Sequence, residues 1–219
     1  MLSTDTIWNR RELVGEEISE RTYNLTIGAV LLWGFFANYL MVDKIPPELL
    51  YGINGWILFL GYFALIIAGT SIYQSSDNPA VSFLGYNLIV LPLGLLLVYT
   101  LPAYQTPLII QALLATGAVT GTMMLLAVGY PKFFLSIGRG LFIAFISVII
   151  VEMLLYFITG KNPGIFDFLV VGIMAGYIGY DWARAQALPK TVDNAVDCAA
   201  ALYLDIVILF IRLLGRGRR

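Results

Sequence analysis

GIFDFLVVGIMAGYIGYDWARAQALPKTVDNAVDCAAALYLDIVILFIRLL, residues Gly164–Leu214, reads as two long apolar helices joined by a short polar connection. Pro189 and the Asp193-Asn194 pair mark the turn, so the two arms run antiparallel. Each arm carries one carboxylate in apolar surroundings, Asp181 in GYIGYDWARAQ and Asp205 in AAALYLDIVILF. The midpoint of the two positions is residue 193, inside the connection, so both side chains lie at similar depth and can face each other. A charged carboxylate at the centre of a bilayer costs at least ~3 kcal/mol on insertion scales. Two facing carboxyls are therefore expected to share a proton or to hold a cation.

The rest of the chain sets the solvent for that pair. Of its 219 residues, 59% are hydrophobic and only 12% charged, and the mean hydropathy is +0.84. Soluble domains carry roughly 25% charged residues, so this is the composition of an integral membrane protein. A bilayer core of ~30 Å needs about 20 apolar residues per helix. Seven windows qualify, near Asn24–Val42, Gly52–Tyr73, Ala80–Tyr99, Pro107–Val128, Phe133–Ile158, Gly164–Arg184 and Asp193–Leu214. The connections DKIPPELLY, QSSDN, TLPAYQT, GYPK, TGKN and AQALPKTV are short and rich in turn residues. Barrel strands would show short alternating segments, whereas these runs are continuously apolar, so the expected fold is all-α, a seven-transmembrane-helix bundle.

Three regions are expected: a solvated amphipathic lead-in at residues 1–23, the membrane domain at 24–214 and a basic tail at 215–219. The lead-in mixes Arg10, Arg11 and Arg21 with five acidic residues, and no apolar stretch with a cleavage site precedes the first span, so it does not read as a signal peptide. Cys198 is the only cysteine, which excludes an intrachain disulfide. Histidine is absent, so any response to pH near neutrality falls to a carboxyl. Early basic residues favour a cytoplasmic N-terminus, while the terminal GRGRR pulls the other way. Both are satisfied only if one segment enters and leaves on the same side, and the last is the candidate; seven full spans remain the leading reading.

The stretches GYDWARAQ (Gly179–Gln186) and DNAVDCAAALYLDIVILFIRLLGR (Asp193–Arg216) resemble the final two helices of the Bax inhibitor-1 family, also called transmembrane Bax inhibitor motif proteins. SDNPAVSFLGYNLIVLPLGLLL (Ser76–Leu97) is similar to the same family's third helix. The resemblance implies a bundle with the last helix central and the other six around it. It also implies that Asp181 and Asp205 match the hydrogen-bonded dyad that gates a pH-sensitive calcium leak in bacterial members. On that basis the expected site is a pH-sensing and gating pair, Asp181 and Asp205, which is also the expected calcium site. The bacterial leak members carry a glutamate in the second helix and an arginine near its end, but Gly52–Tyr73 holds no charged residue, so one ionic latch is missing.

Other charges have a plain reading and a sharper one. Glu152, in IIVEMLLYF, either reaches the headgroups or lines the ion path as a replacement acid. Asp193 and Asp197 open the last helix, where they either cap it or form a cation vestibule, and Asp167 has the same standing on the sixth. Arg139 either snorkels to phosphates or supplies a latch to Asp181. Gly172, Gly176, Gly179 and Ala199–Ala201 permit close helix packing.

Three functions compete: a pH-regulated calcium or cation leak, a non-conducting protein with membrane-protein partners and a structural dyad, and a proton-coupled transporter. The leak is preferred, with the lipid bilayer, calcium and protons as partners and a bacterial inner membrane as the location. No nucleophile-base constellation or metal-ligand spacing suggests an enzyme or a cofactor. Phosphate-binding Gly-rich loops and basic nucleic-acid patches are missing as well.

Overall fold

The computed structural model describes residues 16–160 and 164–216. Most of the lead-in, residues 161–163 of the TGKN turn and tail residues 217–219 lie outside the described residues. Among the described residues the chain is helical and holds no strand. The elements are α1 (Glu20–Lys44), α2 (Glu48–Tyr51), α3 (Gly55–Ser75), α4 (Pro79–Thr100), α5 (Thr106–Gly129), α6 (Pro131–Thr159), α7 (Ile165–Ala187) and α8 (Val192–Arg216). Six of them, α1 and α4 to α8, are long and apolar enough to cross a membrane. Their outward faces are apolar: Leu32, Leu125 and Ile158 are exposed, as side chains solvated by lipid rather than water would be.

Local chemistry sets the ends. Ser19 accepts a hydrogen bond from the Thr22 backbone N–H at 3.1 Å, which starts α1 four residues before the expected Asn24. Asn78 caps α4 in the same way, and a proline stands in the first turn of α4, α5 and α6, where its missing N–H costs nothing. Gly160 ends α6 with φ of 66°, a left-handed conformation that suits glycine. The connection DKIPPELLY is more than a turn, because it folds a short helix, α2. The last helix runs unbroken for 25 residues, so it does not turn back within the membrane.

The chain forms two compact units: one reaches to Pro102 and includes Ala185–Ala201, and the other comprises Ala103–Arg184 and the chain from Leu202. In the first unit α3 and α4 meet through Gly69 and Gly85. A Cβ built on Gly69 would stand 2.5 Å from the Gly85 carbonyl oxygen, so only glycine admits this approach. Tyr86 of α4 donates to the Val30 carbonyl of α1 at 2.9 Å, and Trp33 donates to Asn87 at 3.0 Å. In the second unit α6 and α7 pack closely: Gly138 lies under Tyr180, Gly179 under Phe134 and Gly176 under Leu141. Gly172, expected to join this packing, faces open space.

Candidate functional site

Asp181 on α7 and Asp205 on α8 bring their side chains within hydrogen-bonding reach of each other. Both are buried, with 8% and 7% of their surface exposed. Two carboxylates have no hydrogen to share, so a bond between them needs one proton on the pair. Oδ2 of Asp205 is fully buried.

The neighbours come from the same helix. Arg184, three residues on from Asp181, is the cation that acts on it. Tyr177, four residues before Asp181, feels the charge of both carboxyls, and Tyr180 feels Asp181. Tyr177 is held edge-on by Phe145 at 6.4 Å and by Tyr180 at 6.5 Å between ring centroids. Arg139, which the sequence allowed either to snorkel to phosphates or to latch Asp181, is exposed on α6 and has no ion-pair partner among the described residues. The cation next to the pair is Arg184, the last residue of the sixth expected span.

Glu152, read from the sequence as reaching the headgroups or lining an ion path, is gripped by an arginine. Nη1 and Nη2 of Arg212 donate to its two carboxylate oxygens at 2.8 and 2.9 Å. Nη1 also donates to Asp167 at 3.2 Å, and all three side chains are largely buried. One fixed cation therefore serves two carboxylates from α6 and α7. Sequence reading missed this group because Arg212 lies 60 and 45 residues from the two acids and no local pattern pairs them. The usable signal was the need of two apolar-embedded acids for a counter-charge.

Asp193 and Asp197 stand in the first turns of α8, where acidic side chains suit the helix dipole. The cap is Thr191, whose hydroxyl accepts from the Asn194 backbone N–H at 3.1 Å. Asp193, 4% exposed, accepts from the Ser82 hydroxyl of α4 at 2.7 Å. Asp197 is half-buried one turn further on. Close by, Lys190 donates to the carbonyls of Ala185 and Gln186 at 3.1 and 2.7 Å and covers the Tyr23 ring at 4.6 Å. Burial pushes the Lys190 ammonium below the usual lysine range, while Glu20 and Cys198 act in the opposite direction.

Among the described residues no group of three His, Cys, Asp or Glu side chains could hold a metal ion. Asp181 and Asp205 offer four oxygens at most, and calcium takes 6–8, so a calcium ion there would need backbone carbonyls or water as well.

Long apolar helices and a carboxyl pair buried between the last two define a multi-pass integral membrane protein. The family model described as inhibitor of apoptosis-promoting Bax1 matches residues 16–215, and the chain belongs to this Bax inhibitor-1 family. It is similar to uncharacterized membrane proteins of Streptococcus pyogenes serotypes M1 and M6. Each is 24% identical over 195 residues, covering 86% of this chain and 82% of the relative. No solved structure matches the chain.

Proposed function

We propose that this protein is a pH-sensitive calcium leak of a bacterial inner membrane, with the Asp181–Asp205 pair as its gate. In this reading α3, 21 residues without a charged side chain, is the seventh span, α8 is central to the bundle, and the N-terminus is cytoplasmic. The observation that carries it is the burial of Asp181 on α7 and Asp205 on α8 within hydrogen-bonding reach of each other, so that one proton can tie the two helices. With the proton present, the pair ties the two helices together. Without it, two carboxylates repel across an apolar interface until a cation enters or the helices part. Calcium is the cargo that suits such a site, because it is a hard cation that accepts carboxylate, carbonyl and water oxygens. Membership of the family and bacterial relatives that are membrane proteins support the setting.

The test is calcium entry into dye-loaded proteoliposomes between about pH 5 and about pH 8, the range in which histidine would ordinarily be the switch. The native chain is expected to show flux that varies with pH. Asp205→Asn can donate to Asp181 without a titrating proton and is expected to lose that dependence, as is Asp181→Asn. Absence of flux above empty liposomes at every pH would remove the leak and leave the pair as a structural tie.

A further inference from the structure

We propose that the exposed face of α6 carrying Lys132 and Arg139 is a binding site for the headgroup of an anionic phospholipid. From Pro79 to Val151 these two are the only charged residues of the chain, and both are positive. Lys132 stands in the first turn of α6, which holds no acidic residue; a cation there is opposed by the helix dipole unless an anion accompanies it. Arg139 follows within about 20° around the axis and roughly 10 Å along it, so the two cations share one face. Gly138 lies under Tyr180 of α7, and the next residue, Arg139, is turned about 100° away from that contact. Both basic residues are exposed, and neither has an ion-pair partner among the described residues.

The length of α6 sets their level in the bilayer. Its 29 residues measure roughly 43 Å, about 13 Å more than a bilayer core. Tyr156, Phe157 and Ile158 are exposed up to the Gly160 turn, so the C-terminal end stays in the apolar layer. Gly140–Thr159, about 20 residues, then fill the ~30 Å core, and the surplus lies at the N-terminal end. The one charged side chain in that stretch, Glu152, is held by Arg212. Arg139 is thus at the level of the lipid phosphates, with Tyr130 exposed beyond Lys132, where an interfacial aromatic belongs. A helical side chain leans toward the helix N-terminus, here out of the core, so the guanidinium reaches a phosphate easily. Its planar fork takes two phosphate oxygens, and Lys132 adds a point charge farther out. Leu135, Phe142 and Ile143, exposed around Arg139, suit acyl chains, which a free phosphate ion lacks. A zwitterionic headgroup is the poorer occupant, because its ammonium would stand beside two cations with no carboxylate on this stretch of α6 to receive it. The site does not depend on the carboxyl pair between α7 and α8.

The test is native mass spectrometry of the full chain released from detergent, titrated with phosphatidylglycerol or with phosphatidylcholine of the same acyl chains. The native chain is expected to bind phosphatidylglycerol more tightly. Lys132→Gln and Arg139→Gln should each weaken that binding about fivefold, the effect of one basic residue near an anionic surface, and leave phosphatidylcholine binding as it was. Lys44→Gln controls for total charge: Lys44 is paired with Asp43 at 2.7 Å at the end of α1, and this variant should keep the native preference. Equal affinity of the native chain for the two lipids overturns the site. An unchanged preference in the double variant Lys132→Gln, Arg139→Gln overturns it too, as does an equal loss in Lys44→Gln, the mark of a diffuse surface potential. Displacement of the lipid by an equal concentration of inorganic phosphate overturns the lipid as occupant in favour of the free ion. Should the double variant not fold, the two single variants carry the same test.

Discussion

Gly69→Ala should destabilise the chain although alanine is the better helix former, and Gly61→Ala, on the same helix, should do the opposite. At Gly69 a new Cβ would meet the Gly85 carbonyl oxygen at 2.5 Å, Ile89 Cγ1 at 2.9 Å and Leu88 Cβ at 3.1 Å. The nearest of these is backbone, which cannot rotate away. Ordinary carbon–oxygen contacts begin near 3.3 Å, so α3 and α4 must separate by roughly 0.8 Å. Overpacking of this kind costs about 1–3 kcal/mol, against a gain of about 0.5–1 kcal/mol from replacing a helical glycine. At Gly61 nothing lies within 4 Å, so only the gain remains. The two variants should therefore differ by about 1–3 kcal/mol, and at ~2–4 °C per kcal/mol for a chain of this size the separation in Tm is on the order of 5 °C. Thermal unfolding in detergent micelles, followed by tryptophan fluorescence, measures it. A Gly69→Ala protein that melts at or above the Gly61→Ala protein would refute the claim that α3 and α4 meet backbone to backbone.

Ser82→Ala removes the 2.7 Å donor to the buried Asp193 carboxylate and should cost about 1.5–3 kcal/mol, the range for hydrogen bonds to charged groups; a Tm within error of the native chain would count against that bond. Thr191→Ala should cost ~1 kcal/mol through loss of the α8 cap, measured in the same melting assay. Lys190 gives a pH dependence whose sign is fixed by its lowered proton affinity. Between its folded value and the ordinary 10.5 the unfolded chain binds more protons, so stability rises with pH there. Melting the native chain and Lys190→Met from about pH 8 to about pH 10, on the alkaline side where lysine titrates, should show a steeper rise for the native chain; equal slopes would contradict the burial of the ammonium.

Helix positions were legible because apolar runs, prolines and cap residues act locally. Asn78 before Pro79 and Gly160 after α6 mark their boundaries within a few residues. The α2 turn escaped notice because a four-residue helix has no periodicity to read. Asp181 and Asp205 could be placed together because a single short hairpin relates them. The Arg212–Glu152–Asp167 group could not, since Glu152 lies 60 residues from Arg212 and no local pattern pairs them. At the start of α8, Asp193 was legible as a first-turn acid, whereas its bond to Ser82, 111 positions away, was not.

The N-terminal end of α1 is bound to the opposite end of the sequence. Ile18 N–H donates to the Lys190 carbonyl at 2.8 Å, the Tyr23 hydroxyl donates to the Ala185 carbonyl at 3.0 Å, and the Gln186 amide donates to Asn24 at 3.0 Å. During synthesis α1 emerges first, yet the partners for Tyr23 and Asn24 are not made until more than 160 residues later. Until then these polar groups must find lipid headgroups or water, so α1 can enter the bilayer early but cannot take its final seat. The arrival of the α7–α8 connection therefore fixes α1 in its final seat.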